Sequence, residues 1–358
     1  MGKYQIVEVK GKEQHAGSKA REDVARFAEE YGAKPLYIKC RERDSDSFIE
    51  RILRFALPVF GWIKAYFSVE KNSMVILQNP FLRRQMGREQ CIRALKAKKN
   101  CTIVSVIHDI GYLRGSNWID PHRDSEFAFM KETTDYEIIH NDFMKKELEG
   151  KGFSAEQLVS LEIFDYYSEK EVTTKRTLTD KSADCAIAGN FDPKKSSYVY
   201  KIPELNSKFT LNLYGLNYQG ESTEFINYKG SFPADEIPCI LEGNFGIVWD
   251  GEEIDTCSGE TGNYLRYNNP HKTSLYLVAR LPVIIWSEAA MAEFVRREGV
   301  GICVNSFEEI KAAVDALTPE AYAKMVENTD RIAKRLETGY YLKNALKECE
   351  KRITENNR

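Results

Sequence analysis

No two of the eight cysteines (Cys40, Cys91, Cys101, Cys185, Cys239, Cys257, Cys303, Cys349) stand two or three residues apart. Zinc-ribbon and thioredoxin-type motifs are therefore excluded. The scatter fits reduced, mostly buried thiols in a cytoplasm. Net charge is also scarce. Lys plus Arg number 51 against 54 for Asp plus Glu, a formal −3, which gives no global drive towards nucleic acid. The first ten residues carry no apolar signal-peptide core. Nowhere does an apolar run reach the roughly 20 residues of a spanning helix. The nearest, Phe55 to Val69, is interrupted by Pro58, Gly61 and Lys64. It reads first as a core helix. With Arg51, Arg54 and Lys64 beside its aromatic residues, the alternative for residues 51–69 is a peripheral membrane contact. The expected location is cytoplasmic, with the inner face of the membrane as the alternative. Repeats, low-complexity tracts, the G-x-G-x-x-G fingerprint and the P-loop are all missing. No clustered set of metal ligands stands out, so neither a metal nor another cofactor is expected.

What is present is alternation. A chain of 358 residues with 42% hydrophobic content suits two domains. Short apolar runs at 4–9, 36–38, 74–77, 102–107 and 137–140 read as strands, and 18–31, 47–56, 83–98 and 142–150 as helices. Ser18 is the expected N-cap of the first helix. Residues 168–182, rich in Ser, Thr, Lys and Glu, read as a linker or exposed loop. Strands then resume at 185–188, 209–214, 246–249, 283–285 and 302–304, with helices at 196–201, 234–241, 270–279, 288–298 and 308–317. Nearly all-apolar strands alternating with helices argue for parallel sheets covered on both faces. The expected domains are 1–168 and 183–335. A helical segment, 336–358, is longer than a last crossover needs and is free to pack back on the first.

Ligands of such sheets sit beyond the carboxyl ends of the strands, which selects the candidate residues. Gly17 and Ser18 open the first helix, where backbone amides can meet an anion; an ordinary capped turn is the alternative. His108 and Asp109 follow the apolar strand 103–107, with Arg114 close behind, and either can take a proton from a hydroxyl. The bland reading of Asp109 is a loop cap. Gly189, Asn190, Lys194 and Lys195 follow the strand at 185; the lysines can meet phosphate or form a solvated pair. Asn269 reads as an N-cap and Pro270 as the first helical residue, placing His271 and Lys272 in the first turn. Free amides, the helix dipole and the Lys272 ammonium would then converge as a diphosphate site. A lysine there is unfavourable unless an anion offsets it. Glu293 can accept bonds from ribose hydroxyls or be a solvated surface carboxylate.

The run Asn268-Asn269-Pro270-His271-Lys272, then Leu281-Pro282-Val283-Ile284, Ala292-Glu293-Phe294 and Gly299-Val300-Gly301, resembles a bacterial glycosyltransferase group. That group contains β-galactofuranosyltransferases of surface-polysaccharide synthesis and the second glucosyltransferase acting on streptococcal serine-rich adhesins. Residues 16–20, 108–114 and 246–250 fit it too. The resemblance implies the GT-B fold: α/β, two facing Rossmann-like domains with a cleft between them. It implies inverting, metal-independent transfer from a UDP-sugar to a glycan or lipid-linked glycan acceptor, with a homo-oligomer allowed. By position Lys272 resembles the diphosphate lysine, Glu293 the ribose glutamate and Tyr214 a uridine contact. Lys194 or Lys195 stands where the group has an arginine, so a bidentate fork is lost. Asp109 is the first expectation for the base and His108 the second, with the acceptor near Gly17 and Arg114. Galactofuranose is the first sugar expected and glucose the second. Two rivals stay open: a sugar-nucleotide epimerase of the same fold, and a non-catalytic nucleotide-sugar-binding partner of another transferase.

Overall fold

The computed structural model describes residues 1–9, 16–40, 47–81, 84–115, 121–173, 176, 184–205 and 209–356, with backbone alone for 16–18 and 121–123. The chain forms two compact units. The first comprises Met1–Tyr112, Asn117–Leu161 and Leu342–Arg358. Its strands are β1 (Lys3–Val9), β2 (Lys34–Lys39), β3 (Met74–Asn79), β4 (Thr102–Ile107), β5 (Tyr136–Ile139) and β6 (Leu158–Ser160). They form one sheet in the order β2-β1-β3-β4-β5-β6, parallel throughout. Every residue of β3 is buried, as a strand covered by helices on both faces must be. Trp62 closes the core on one side at 1% exposure. Its indole N–H still finds a partner, donating to Gln85 Oε1 at 2.8 Å, as a buried Trp must.

The second unit comprises Leu113–Ser116 and Glu162–Tyr341. Its strands are β7 (Cys185–Asn190), β8 (Leu211–Leu216), β9 (Ile226–Gly230), β10 (Phe245–Val248), β11 (Val283–Trp286) and β12 (Gly301–Val304). They too form one parallel sheet, in the order β12-β11-β10-β7-β8-β9. From β7 the chain winds outward through β8 and β9, then returns to β10 and winds the other way. The order reverses between β7 and β10, the switch point at whose carboxyl end ligands of such sheets bind. Gly246 of β10 packs against Tyr276, whose ring occupies the space a Cβ would need. The Tyr276 hydroxyl accepts the Ala188 N–H at 2.7 Å, tying helix His271–Val278 to β7.

Several expectations change. Residues 168–182 were read as a linker. Of the described part, Val172 is buried and Arg176 donates to the carbonyls of Leu241, Gly243 and Ala279. Three backbone acceptors hold that guanidinium, so this part of the segment belongs to the second unit. Residues 55–69 are not a fully buried core helix. Helix Pro58–Ser68 buries Pro58, Trp62 and Ala65 but exposes Phe60 and Phe67 at 72% and 76%. The terminal residues form two helices. Pro319–Glu337 stops at Thr338, where Gly339 takes a left-handed φ of 69° and ends it as glycine after a C-cap does. Helix Tyr340–Asn356 follows. From Leu342 onwards it belongs to the first unit, where Lys3 pairs with Glu350 and Lys343 with Glu30. Among the described residues no helix is long and apolar enough to cross a membrane.

Candidate active site

In the second unit the crevice between β7 and β10 is built from three loops. After β7, Asn190 Oδ1 accepts the Asp192 N–H and the Asn217 side-chain amide, each at 3.0 Å. Asp192 Oδ1 in turn accepts the Lys194 N–H. These local bonds hold a turn that leaves Gly189, Asn190, Lys194 and Lys195 exposed. A Cβ at Gly189 would meet nothing within 4 Å, so no protein packing demands glycine there. After β10, Asp250 is followed by Gly251 at φ +111°, where a side chain would strike the Ser258 backbone. The two loops are joined: the Ser197 hydroxyl donates to the Glu252 carbonyl at 3.2 Å, and Lys201 pairs with Glu253.

The third part is the start of helix His271–Val278. Lys272 Nζ donates to the Trp249 carbonyl and to Asp250 Oδ1, both at 2.9 Å. Its ammonium is thereby fixed at the reversal point of the sheet, beside first-turn amides that lack intrahelical acceptors. The anion that offsets a lysine in the first turn is thus supplied by the chain itself, as Asp250. The pair is mostly sheltered, at 16% and 21% side-chain exposure. An ammonium has three protons and two are committed, which leaves donor capacity for a phosphate oxygen.

The neighbours of Lys272 are placed differently from expectation. Pro270 is the N-cap, with no side-chain capping bond. Asn269 is buried and its amide donates to the Glu162 carbonyl at 3.1 Å. The His271 ring stacks on Tyr166 at 5.0 Å and meets Phe164 edge-on. Asn269 and His271 therefore grip the segment entering the unit. Tyr214 is 2% exposed. Its hydroxyl donates to the Ile240 carbonyl and accepts the Glu242 N–H, and burial raises its pKa. It is a core tyrosine with no open face for a uracil. Glu293 is exposed in the first turn of helix Met291–Glu298, after β11, where the helix dipole favours a carboxylate. Glu288 lies ahead of that helix and pairs with Arg266.

In the first unit the order reverses between β1 and β3, and a second polar cluster stands there. Gln78 Nε2 donates to the Arg21 carbonyl at 3.2 Å, which orients the amide. Its Oε1 then faces His108 Nε2 at 2.7 Å, so Nε2 carries the hydrogen and Nδ1 is the basic nitrogen of the neutral ring. The Arg21 guanidinium donates to the carbonyls of Gln78 and Pro80 and lies 3.9 Å from Glu8. Burial pushes its pKa down, while Glu8 and Asp109 act to hold it up. A cavity of about 340 Å³ opens beside this cluster, lined among others by Glu8, Arg21, Tyr37, Gln78 and Phe81. Gly17 and Ser18 lie inside helix Ala16–Glu30, so Ser18 is not its cap; the loop before them, 10–15, is outside the described residues. Arg114 ends the short helix Gly111–Arg114 and is grouped with the second unit, its guanidinium 4.6 Å from the Tyr264 ring centre. Glu8, Arg21, Gln78 and Asp250 were not singled out from the sequence. Asp250 alone had a visible signal, the first carboxylate after an apolar strand.

Solved structures share this fold along the whole chain. Sucrose-phosphate synthase of Thermosynechococcus elongatus gives a TM-score of 0.61 at 11% identity, covering 99% of this chain and 100% of that one. Anabaena HepE in complex with UDP-glucose gives 0.60 at 9% identity, covering 97% and 99%. These likenesses define the class of fold, GT-B, with two Rossmann-like domains. Sequence narrows the class: residues 3–163 match the Glucosyltransferase 3-like N-terminal domain and residues 185–349 its C-terminal domain. The chain belongs to the Glucosyltransferase 3-like family and is a glycosyltransferase. Its relatives include the β-1,6-galactofuranosyltransferase WbbI of Escherichia coli K12, 40% identical over 248 residues, which are 69% of this chain and 70% of that protein. Glucosyltransferase 3 of Streptococcus gordonii is 25% identical over 333 residues, 91% and 92% of the two chains. Both branches of the resemblance read from residues 268–301 are among them.

Proposed function

We propose that the protein moves a hexose from a UDP-sugar to a glycan or lipid-linked glycan acceptor, with inversion and without a metal, in the synthesis of a surface polysaccharide or glycoprotein. The observation that carries this reading is Lys272, held at the reversal point of the second sheet by Asp250 and the Trp249 carbonyl. A diphosphate set there meets an ammonium and the positive end of a helix. Both oppose the charge that grows on UDP as the glycosidic bond breaks, which is the charge a transferase must stabilise. Gly189, Lys194 and Lys195 line the facing loop, and Glu293 is the proposed ribose ligand. In the first unit Asp109 is the proposed base. It takes the acceptor proton as the acceptor oxygen bonds to the anomeric carbon and UDP departs; a single displacement inverts that carbon. His108 is second choice, with Nδ1 as its basic nitrogen while Gln78 engages Nε2. Galactofuranose is favoured over glucose by the 40% identity to WbbI against 25% to Glucosyltransferase 3. UDP as carrier is supported by HepE, which shares the fold and was solved with UDP-glucose.

The test is UDP release from UDP-galactofuranose and UDP-glucose, with and without glycan acceptors, in EDTA. Acceptor-dependent release is expected, greater with the furanose donor. Asp109→Asn should lower kcat by about 10²–10⁴ with donor affinity unchanged. Release that requires added Mn²⁺ contradicts the metal-independent reading, and an Asp109→Asn variant with normal turnover moves the base elsewhere.

A further inference from the structure

Helix Phe48–Ala56 is anomalous: none of its nine residues is buried. A helix this short is marginal in water without packing; Ser47 caps the Glu50 N–H and the Met86 N–H donates to the Phe55 carbonyl. Its apolar residues nevertheless fall on one side, Phe48, Ile49, Ile52 and Phe55 being spaced by three and four. Helix Pro58–Ser68 continues the pattern. Phe60, Ile63 and Phe67 stand opposite the buried Pro58, Trp62 and Ala65, so this helix is apolar on both faces. Such a helix is ordinarily buried all round. Phe48, Ile49, Phe60 and Phe67 are instead 75%, 70%, 72% and 76% exposed. So many large apolar side chains on one segment exceed the scattered exposure of an ordinary surface.

The charges on this segment select the occupant. Arg51, Arg54 and Lys64 stand among these residues against the single carboxylate Glu50, in a chain whose formal charge is −3. A second copy meeting this patch about a two-fold axis would set the patch against itself and like charge against like. An anionic lipid surface offers the opposite sign, and aromatic residues flanked by Lys and Arg are the signature of helices that lie in that interface. We infer that the helical segment Phe48–Ser68 seats the protein on an anionic phospholipid bilayer, with Phe48, Ile52, Phe60, Ile63 and Phe67 inserted at the headgroup level and Arg51 and Lys64 meeting phosphates. The inference does not depend on the donor site or on the identity of the sugar.

Flotation of the full chain with vesicles of phosphatidylglycerol and phosphatidylethanolamine, against vesicles of phosphatidylcholine, tests it. The protein should float with the anionic vesicles, much less with the neutral ones, and be released as salt screens the contact. Phe60→Ser with Phe67→Ser should weaken anionic-vesicle binding about tenfold or more, with melting temperature and UDP affinity retained. Arg51→Glu with Lys64→Glu should do the same without touching the apolar packing, which covers the case of a serine variant that fails to fold. Three results overturn the inference. The native chain fails to float; or both variants float as it does; or light scattering finds a native dimer that the serine variant splits, with no flotation, in which case a second copy covers the face.

Discussion

A lysine with its own counter-ion can be told from a solvated one by substituting each partner in turn. Lys272 gives two of its protons to Trp249 and Asp250, so a bound diphosphate joins an existing pair. Lys272→Ala should weaken UDP binding by about one to two decades, since a charge-assisted contact is worth roughly 1.5–3 kcal/mol. Asp250→Asn removes the carboxylate nearest the incoming phosphates and should act with the opposite sign, tightening UDP by up to about tenfold, the size of a partly screened pair. Calorimetric titration of UDP into the three proteins decides. Equal weakening by both variants would mean that Asp250 aims the lysine rather than competing for it. Lys272 was legible in the sequence because its place in a first turn is a local property. Asp250 as its partner was not, because 22 residues separate the two and only the packing of the helix against β10 brings them together.

Among elements, the pairing of β7 with β10 holds the crevice open, and one side chain locks it. Tyr276 fills the place of a Cβ on Gly246 and satisfies the Ala188 N–H at 2.7 Å, two residues before β7 ends at Asn190. Tyr276→Phe keeps the ring and strands that buried N–H, at a cost of about 1–3 kcal/mol. Melting should fall by roughly 2–4 °C for each kcal/mol lost, with a small loss of UDP affinity as the end of β7 loosens. A calorimetric melt identical to the native one would show that the hydroxyl contributes nothing. The same scale shows what a single sequence reveals. β4 and helix Asp142–Gly150 stand at the residues expected, because an apolar run and an Asn141 cap mark their ends. Strand β6 was missed, being three residues long, and β9 was missed because Asn227 and Lys229 break its apolar pattern at the sheet edge. Helix Pro121–Thr133 spreads charge round its circumference and gave no period to read. The cap of helix His271–Val278 falls on Pro270 rather than Asn269, whose amide donates to the distant Glu162 carbonyl, a tertiary contact no local rule contains.

For the molecule as a whole, the first unit is assembled from both sides of the second. Leu342, Leu346, Cys349 and Ile353 are all buried in a segment that follows the entire second unit in sequence, and Arg352 donates to the carbonyls of Glu156 and Leu158 beside β6. Burying one Leu or Ile side chain is worth about 1.5–3 kcal/mol, so three of them rival the 5–15 kcal/mol by which a domain is typically stable. A chain stopped after Gly339 should therefore lose the cooperative transition of the first unit by scanning calorimetry, and an unchanged transition would contradict that dependence. The arrangement also sets an order of events on the ribosome. The six strands of the first sheet emerge early, but the helix that covers their apolar groove is translated only after the second unit, roughly 10–40 s later at 5–20 residues per second. The half of the enzyme made first is the half finished last, and through that interval the nascent chain carries an open greasy seam that a trigger-type chaperone would find before its own helix does.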